Sequence, residues 1–340
     1  MDETWVIRKF LPSEPPCRMM NTLVAAAVAG GGVLVAWFLA PSLKLSDVIE
    51  IAKGVQMPLV FNGISEDHGV WLALGGRGID TSFLYGDEQQ EQVGRAIAES
   101  GVAREEIFLI TKVACCPTPR CSSFCKDPPF PNNASAMAVH NATEQLEHSL
   151  AVLQQPYADL VLMHFPCSDF RDTLAMWEDL IAARDRGWTR AIGVSNFNKT
   201  LLKRLLKASK VKPAVVQNAF SVAGHPPSHL GAAGPCEEGA PLYGSDLETF
   251  DYCRRQRIAF SAYSPLGGIS KVDVLTQPAV QQAAQAHGKS AAQIALKYLV
   301  QQKIAAVTAT TKPKHMMQAL DLHGFDLTRR EMRALRAAGT

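Results

Sequence analysis

From Ile49 onward, short apolar runs alternate with stretches whose apolar positions recur at helical spacing. The runs are Gly78-Ile79-Asp80, Ile107 to Lys112, Asp159 to His164, Ala191 to Asn196, Ala214 to Asn218, Ile258 to Ser264 and Ile304 to Thr311. Between most of them lie segments with 3.6-residue periodicity, such as Leu174 to Arg186, Leu201 to Ser209 and Val280 to Gln301. Strand then helix, repeated over this length, predicts a parallel sheet wrapped by helices. The strands read as continuous apolar runs rather than alternations, as expected when both faces are covered. The fold class expected is α/β, a (β/α)₈ TIM barrel.

The ends of these runs carry the chemistry. Asp80, Lys112, His164, Asn196, Gln217 and Tyr263 each sit at or beside the C-terminal end of a predicted strand. A (β/α)₈ barrel gathers those ends on one face, where such enzymes place their catalytic groups. One polar residue ending a strand is commonplace. Six, from different strands, are hard to explain as caps.

The first 45 residues follow a different pattern. Thr22 to Ala40 is uncharged for 19 residues, and Met19 and Met20 extend it. At about 1.5 Å per residue a helix of that length spans a bilayer's hydrocarbon core. The expected organisation is therefore a tail with a transmembrane signal-anchor helix over 1–45 and a barrel over 46–340. Gly30, Gly31 and Gly32 weaken such a helix, and the rival reading is a buried or cleaved segment. A cleaved signal fits less well, because Phe38 would stand at the −3 position before Ala40. Arg8, Lys9 and Arg18 precede the run, so the positive-inside tendency places the barrel on the lumenal side of a secretory membrane.

Two features agree with a lumenal barrel. Cys115, Cys116, Cys121 and Cys125 crowd a Pro-rich stretch, which suits disulfides in an oxidising compartment; a zinc site is the rival. Asn133-Ala-Ser135 and Asn141-Ala-Thr143 are glycosylation acceptors, whereas Asn198-Lys-Thr200 falls where a glycan would not be tolerated. Composition adds little. The net charge is +2, with no basic block interleaved with aromatics, which gives no reason to expect a nucleic-acid partner.

The ordered set of motifs resembles the aldo-keto reductase family. Gly76-Arg77-Gly78-Ile79-Asp80-Thr81-Ser82-Phe83-Leu84-Tyr85-Gly86-Asp87-Glu88 is similar to its signature G-x-R-x-x-D-T-A-x-x-Y-G-x-E, and Val93 to Ile97 continues the match. Phe108 to Lys112 resembles the strand bearing the active-site lysine, and Asp159 to Pro166 the strand bearing the histidine. Gly193 to Phe197, Gln217-Asn218 and Ala262 to Gly267 follow in the family's order, so that the likeness spans Ile49 to Leu335.

This resemblance implies a catalytic set of Asp80, Tyr85, Lys112 and His164. Reducing a carbonyl by hydride makes an alkoxide, which needs a proton donor near its oxygen. Tyr85 would be that acid, Lys112 would lower its pKa toward neutrality, and Asp80 would hold the lysine charged. His164 would orient the carbonyl. Taken singly, Tyr85 reads as a packing residue and His164 as a core histidine. Lys112 at the end of an apolar strand is costly unless paired.

For the cofactor, the resemblance implies that Ser195, Asn196 and Gln217 hold the nicotinamide carboxamide. Tyr263, whose rival reading is a core aromatic, would stack on the ring, with Ser264 and Leu266 beside the pyrophosphate. No G-x-G-x-x-G follows a strand, so a Rossmann site finds no support. Where the family has a lysine and an arginine for the 2′-phosphate, this chain has Ala309 and His315. Thr310, Thr311, Lys312 and Lys314 lie beside them. The cofactor expected is NADPH, with NADH open.

The chain departs from the pattern elsewhere too. The first barrel helix must be reduced to about Gly69 to Gly75, and Ser65 replaces an aromatic of the pocket wall. Long insertions hold the cysteine cluster and His225 to Tyr243, and Cys236 is a candidate partner for the cluster. The specificity loop of longer members is missing after Thr328, which implies an open, tolerant pocket.

The reading is a monomeric NAD(P)H-dependent aldo-keto reductase of small carbonyl (or alcohol) substrates. Its rival is a slow, cofactor-binding sensor or regulator on the same barrel. A hydrolase would need a metal or a carboxylate pair at the strand ends, and the motifs supply neither.

Overall fold

The computed structural model describes residues 22–29, 32–39, 48–114, 142–167, 169–224, 247–268 and 272–339. The apolar run near the N-terminus is not a helix. It forms β1 (Thr22–Ala29) and β2 (Gly32–Leu39), paired antiparallel from Thr22↔Leu39 to Ala29↔Gly32. The expected transmembrane helix is thereby corrected, and the membrane anchoring that rested on it is left without support. Among the described residues no helix is long and apolar enough to cross a membrane. The cause lies in the residues themselves. Consecutive glycines divide the run, each costing a helix about 1 kcal/mol, and Val24, Val28, Val33 and Val35 favour extended backbone. The cysteine cluster, Cys236 and Asn133 and Asn141 of the two sequons lie outside the described residues.

A second hairpin, β3 (Val48–Ala52) and β4 (Val55–Pro58), turns at Gly54, whose φ of 73° favours glycine. Its residues Val55 and Met57 are buried against Phe61, Phe108 and Leu160, which point inside the barrel, so the hairpin plugs one mouth.

The barrel strands are β5 (Val60–Asn62), β6 (Gly78–Asp80), β7 (Phe108–Val113), β8 (Ala158–Met163), β9 (Thr189–Ser195), β10 (Val215–Ala219), β11 (Ala259–Tyr263) and β12 (Ile304–Thr308). All neighbours are parallel, and β12 pairs with β5 through Val307↔Phe61 to close the ring. Around it lie α1 (His68–Ala73), α2 (Asp87–Glu99), α3 (Ala142–Leu153), α4 (Phe170–Asp185), α5 (Lys199–Ala208), α6 (Leu247–Gln256), α7 (Pro278–His287), α8 (Ala291–Val300), α9 (Pro313–Leu320) and α10 (Arg329–Ala338). The expected TIM barrel and its shortened first helix are both present. Asn198 caps α5 by accepting the Leu201 N–H at 2.9 Å.

The periodic segment Val280 to Gln301 is two helices rather than one. Gly288 takes a left-handed φ of 60° and ends α7, and Ser290 with Gln293 forms a capping box that starts α8. Apolar periodicity does not register such a break, which is set by the backbone at Gly288 and the cap at Ser290.

Tertiary contact also reverses a helix-propensity rule. Alanine in place of a mid-helix glycine ordinarily stabilises by about 1 kcal/mol. At Gly94 of α2 an added Cβ would lie 2.4 Å from the Leu153 carbonyl oxygen at the end of α3. Gly94→Ala is expected to lower stability by about 1–3 kcal/mol. Urea denaturation checks this, and an unchanged or higher midpoint would contradict it.

At the start of α1, His68 is 1% exposed, and its Nδ1 is 3.4 Å from Asn62 Nδ2. Its Nε2 and the Asn62 Oδ1 have no hydrogen-bond partner among the described residues. Burial drives its pKa from 6.5 down to about 4. Between those values the unfolded chain binds the extra proton, so stability rises with pH across this window and is lost as pH falls through it. The loss is at most about 3 kcal/mol. Stability curves at pH 7 and 4.5 should show a steeper drop for the wild type than for His68→Gln; parallel drops would refute the assignment.

Candidate active site

The strand ends opposite the hairpin bring four ionisable side chains together. Asp80 ends β6, and the chain then makes a 3₁₀ turn over Phe83–Tyr85. Ser82 caps that turn by accepting the Leu84 N–H at 3.2 Å, and Gly86, at φ 90°, releases it into α2. This compact turn fixes where the Tyr85 phenol points. Lys112, in the neighbouring strand β7, is 2% exposed and ion-pairs with the equally buried Asp80. Its ammonium also donates to the Thr81 carbonyl at 2.9 Å and to the Tyr85 hydroxyl at 3.4 Å. His164 follows β8 directly, and its backbone N–H donates to Val113 O at 2.7 Å. The rings of Tyr85 and His164 meet edge to face, 6.0 Å apart at 77°. All four residues named from the sequence therefore converge.

The electrostatics differ from the expectation in one respect. Burial pushes the Tyr85 phenol above its ordinary value. The Lys112 ammonium pulls it down, but Asp80 opposes that pull, and the net direction is upward. Lowering toward neutrality is thus not present in this state, because burial outweighs the pull of the Lys112 ammonium, which Asp80 in part opposes. Burial also works against the Lys112 ammonium, yet Asp80 and Tyr85 outweigh it and raise its pKa, so the lysine is charged. Burial, and then the nearby ammonium, hold the His164 imidazole well below its usual range, so the ring is neutral. The arrangement offers a protonated phenol, a fixed cation behind it and a neutral imidazole beside it. That set can polarise and protonate one oxygen.

The residues expected to meet a nicotinamide lie on the next three strands. Ser195, Asn196 and Gln217 are each 1–2% exposed. Asn196 has a left-handed φ of 61°, which asparagine tolerates better than most residues. Its amide donates to the His164 carbonyl at 2.9 Å and to Ser195 Oγ at 3.3 Å, and it accepts the Tyr263 hydroxyl at 2.7 Å. Gln217 donates to Asp80 Oδ2 at 2.9 Å, a link between cofactor and catalytic positions that sequence reasoning missed. A carboxamide needs one donor and two acceptors, and a hydroxyl with two side-chain amides supplies that complement, so the residues fit the group.

Ser264 (φ 50°) and Leu266 follow β11 and are partly exposed, beside Tyr263. Thr310, Thr311 and His315 follow β12 at or near the surface. Among the described residues, Lys312, Lys314 and His315 pair with no carboxylate and so fit a phosphate. Ser65, 5% exposed, donates its hydroxyl to the Thr310 carbonyl at 3.2 Å, joining the first and last barrel loops.

A second residue missed from sequence is Ser82, whose Oγ lies 2.9 Å from His164 Nδ1. The available signal was a serine where the signature carries alanine.

Known proteins place this constellation. Residues 69–339 match the model of the Aldo/keto reductase family. The chain is 33% identical over 301 residues to the glyoxal reductase of Bacillus subtilis (strain 168), covering 85% of this chain and 91% of that protein. An aldo-keto reductase from a Medee basin deep-sea metagenome library superposes with a TM-score of 0.68 at 25% identity, over 86% of this chain and 96% of the other. The Bombyx mori aldo-keto reductase in complex with NADP superposes at 0.65 with 27% identity, over 85% and 92%. Barrel, site and relatives agree, and the chain belongs to the aldo/keto reductase family of oxidoreductase enzymes.

Proposed function

We propose that the protein reduces small aldehydes or ketones to alcohols with NADPH, Tyr85 acting as the general acid. The observation that carries this reading is the buried Lys112, in contact at once with Asp80, the Thr81 carbonyl and the Tyr85 hydroxyl. A reduced nicotinamide, held through Ser195, Asn196 and Gln217 with Tyr263 against the ring, supplies the hydride. His164 donates a hydrogen bond to the carbonyl oxygen and fixes its direction. Tyr85 passes its proton to the oxygen as negative charge develops there, and the fixed Lys112 charge stabilises the phenolate left behind. Asp80 keeps that lysine in place. In alcohol oxidation the same groups run in reverse.

Two further points support the finer calls. Lys312, Lys314 and His315 stand near Thr310 and Thr311 where a 2′-phosphate would be neutralised, which favours NADPH over NADH even though Ala309 removes one expected cation. A relative named for glyoxal reduction supports aldehydes as substrates, and one named morphine 6-dehydrogenase supports the reverse oxidation of alcohols.

Side-by-side fluorescence titration with NADPH and NADH tests the reading. Quenching by NADPH at lower concentration, together with NADPH oxidation on adding a small aldehyde, is the expected result. No quenching by either nucleotide would overturn it.

A further inference from the structure

We propose that Ser82 is a positioning residue that fixes His164 as the Nε2-protonated tautomer, so that this N–H faces the substrate carbonyl. The inference deepens the reductase reading and rests on it for its catalytic consequence.

Hydrogen-bond accounting around Ser82 decides the tautomer. Ser82 is fully buried, and its hydroxyl has one proton to donate and two lone pairs. One lone pair accepts the Leu84 N–H at 3.2 Å. The other contact is His164 Nδ1 at 2.9 Å. A neutral imidazole carries its proton on one nitrogen only, which leaves two arrangements. If Nδ1 were protonated, Ser82 Oγ would accept twice, and its own proton would be buried with no acceptor among the described residues. Nε2 would then aim a lone pair at an electron-rich carbonyl oxygen. If Ser82 instead donates to Nδ1, every one of these groups is satisfied and Nε2 carries the proton. The second arrangement wins, because an unpaired buried donor is costly whereas a made hydrogen bond is not.

The rest of the surroundings holds the ring in that pose. His164 stacks on Phe165, with centroids 4.5 Å apart and planes 6° from parallel, and its own carbonyl is held by Asn196. The charged groups facing it come from β6 and β7: Asp80 and Lys112 are paired to each other, and Tyr85 bonds Lys112. None of them bonds Nδ1, so the tautomer depends on Ser82. The family signature has alanine here, which predicts that Ser82→Ala folds.

The test is ¹⁵N NMR of the full chain labelled at histidine, the His164 signals being assigned by their loss in His164→Gln. Wild type is expected to show His164 as the neutral Nε2–H tautomer at pH 7, and Ser82→Ala a mixture of both tautomers. In steady-state reduction, Ser82→Ala should lower kcat/KM for the aldehyde by about tenfold with NADPH affinity unchanged. A wild-type Nδ1–H tautomer overturns the proposal. So does a Ser82→Ala variant whose tautomer matches wild type, whatever its rate, since the serine would then only cap the turn. If the wild type reduces no carbonyl, the reductase reading fails, while the spectrum still decides the role of Ser82.

Discussion

Tyr85→Phe is expected to lower kcat for carbonyl reduction by about 10²- to 10⁴-fold while leaving NADPH affinity unchanged. The substitution keeps the ring, its edge contact with His164 and the turn that Ser82 caps, and removes only the hydroxyl that Lys112 touches. Nothing that meets a nicotinamide is altered. Steady-state kinetics and fluorescence titration together check it. A variant that kept full function with intact cofactor binding would instead identify a sensor built on this barrel. The pH profile adds a second check. Burial raises the Tyr85 pKa, so the phenol stays protonated through neutrality and the reduction rate should fall only in strongly alkaline solution. A fall near neutral pH would show that bound cofactor and substrate retune the phenol.

Breaking the buried pair is expected to be the largest single loss of stability. Lys112→Met leaves the Asp80 carboxylate 2% exposed with Gln217 as its remaining side-chain partner. Removing one member of a buried pair costs about 3–5 kcal/mol, because the other charge is stranded away from water. The double variant Asp80→Asn with Lys112→Met strands no charge and should recover most of that loss while staying inactive. Urea denaturation of both singles and the double, read as a cycle, gives the coupling directly. A loss in the double variant equal to the sum of the two single losses would mean that the pair is not coupled. Retained activity in either single variant would remove Lys112 and Asp80 from the proposed chemistry.

Much of the site was legible because strand ends in this fold are also functional positions. Asp80, Lys112 and His164 could be named from the polar residues that close apolar runs, and Tyr85 from the resemblance of its surroundings to the family signature. Ser82 and the Gln217–Asp80 bond were hidden, since each depends on residues far apart in sequence: 82 positions separate Ser82 from His164 and 137 separate Gln217 from Asp80. The Ser65 contact was hidden for the same reason, its partner Thr310 being 245 positions away. The apolar N-terminal run was misread because hydropathy measures length and not backbone shape. Glycines and β-branched residues within it decided for paired strands.

By itself the sequence determined the repeated strand–helix order, and its resemblance to a known family named the four side chains that converge. Local periodicity and short motifs encode those features, and each can be read within a few residues. Only the tertiary structure decided the charge states and the orientations. Whether burial or a neighbouring ammonium governs Tyr85, which nitrogen of His164 meets Ser82, and whether alanine at Gly94 helps or harms all depend on desolvation and close contact between distant segments. Those energies exist only once the chain has closed on itself.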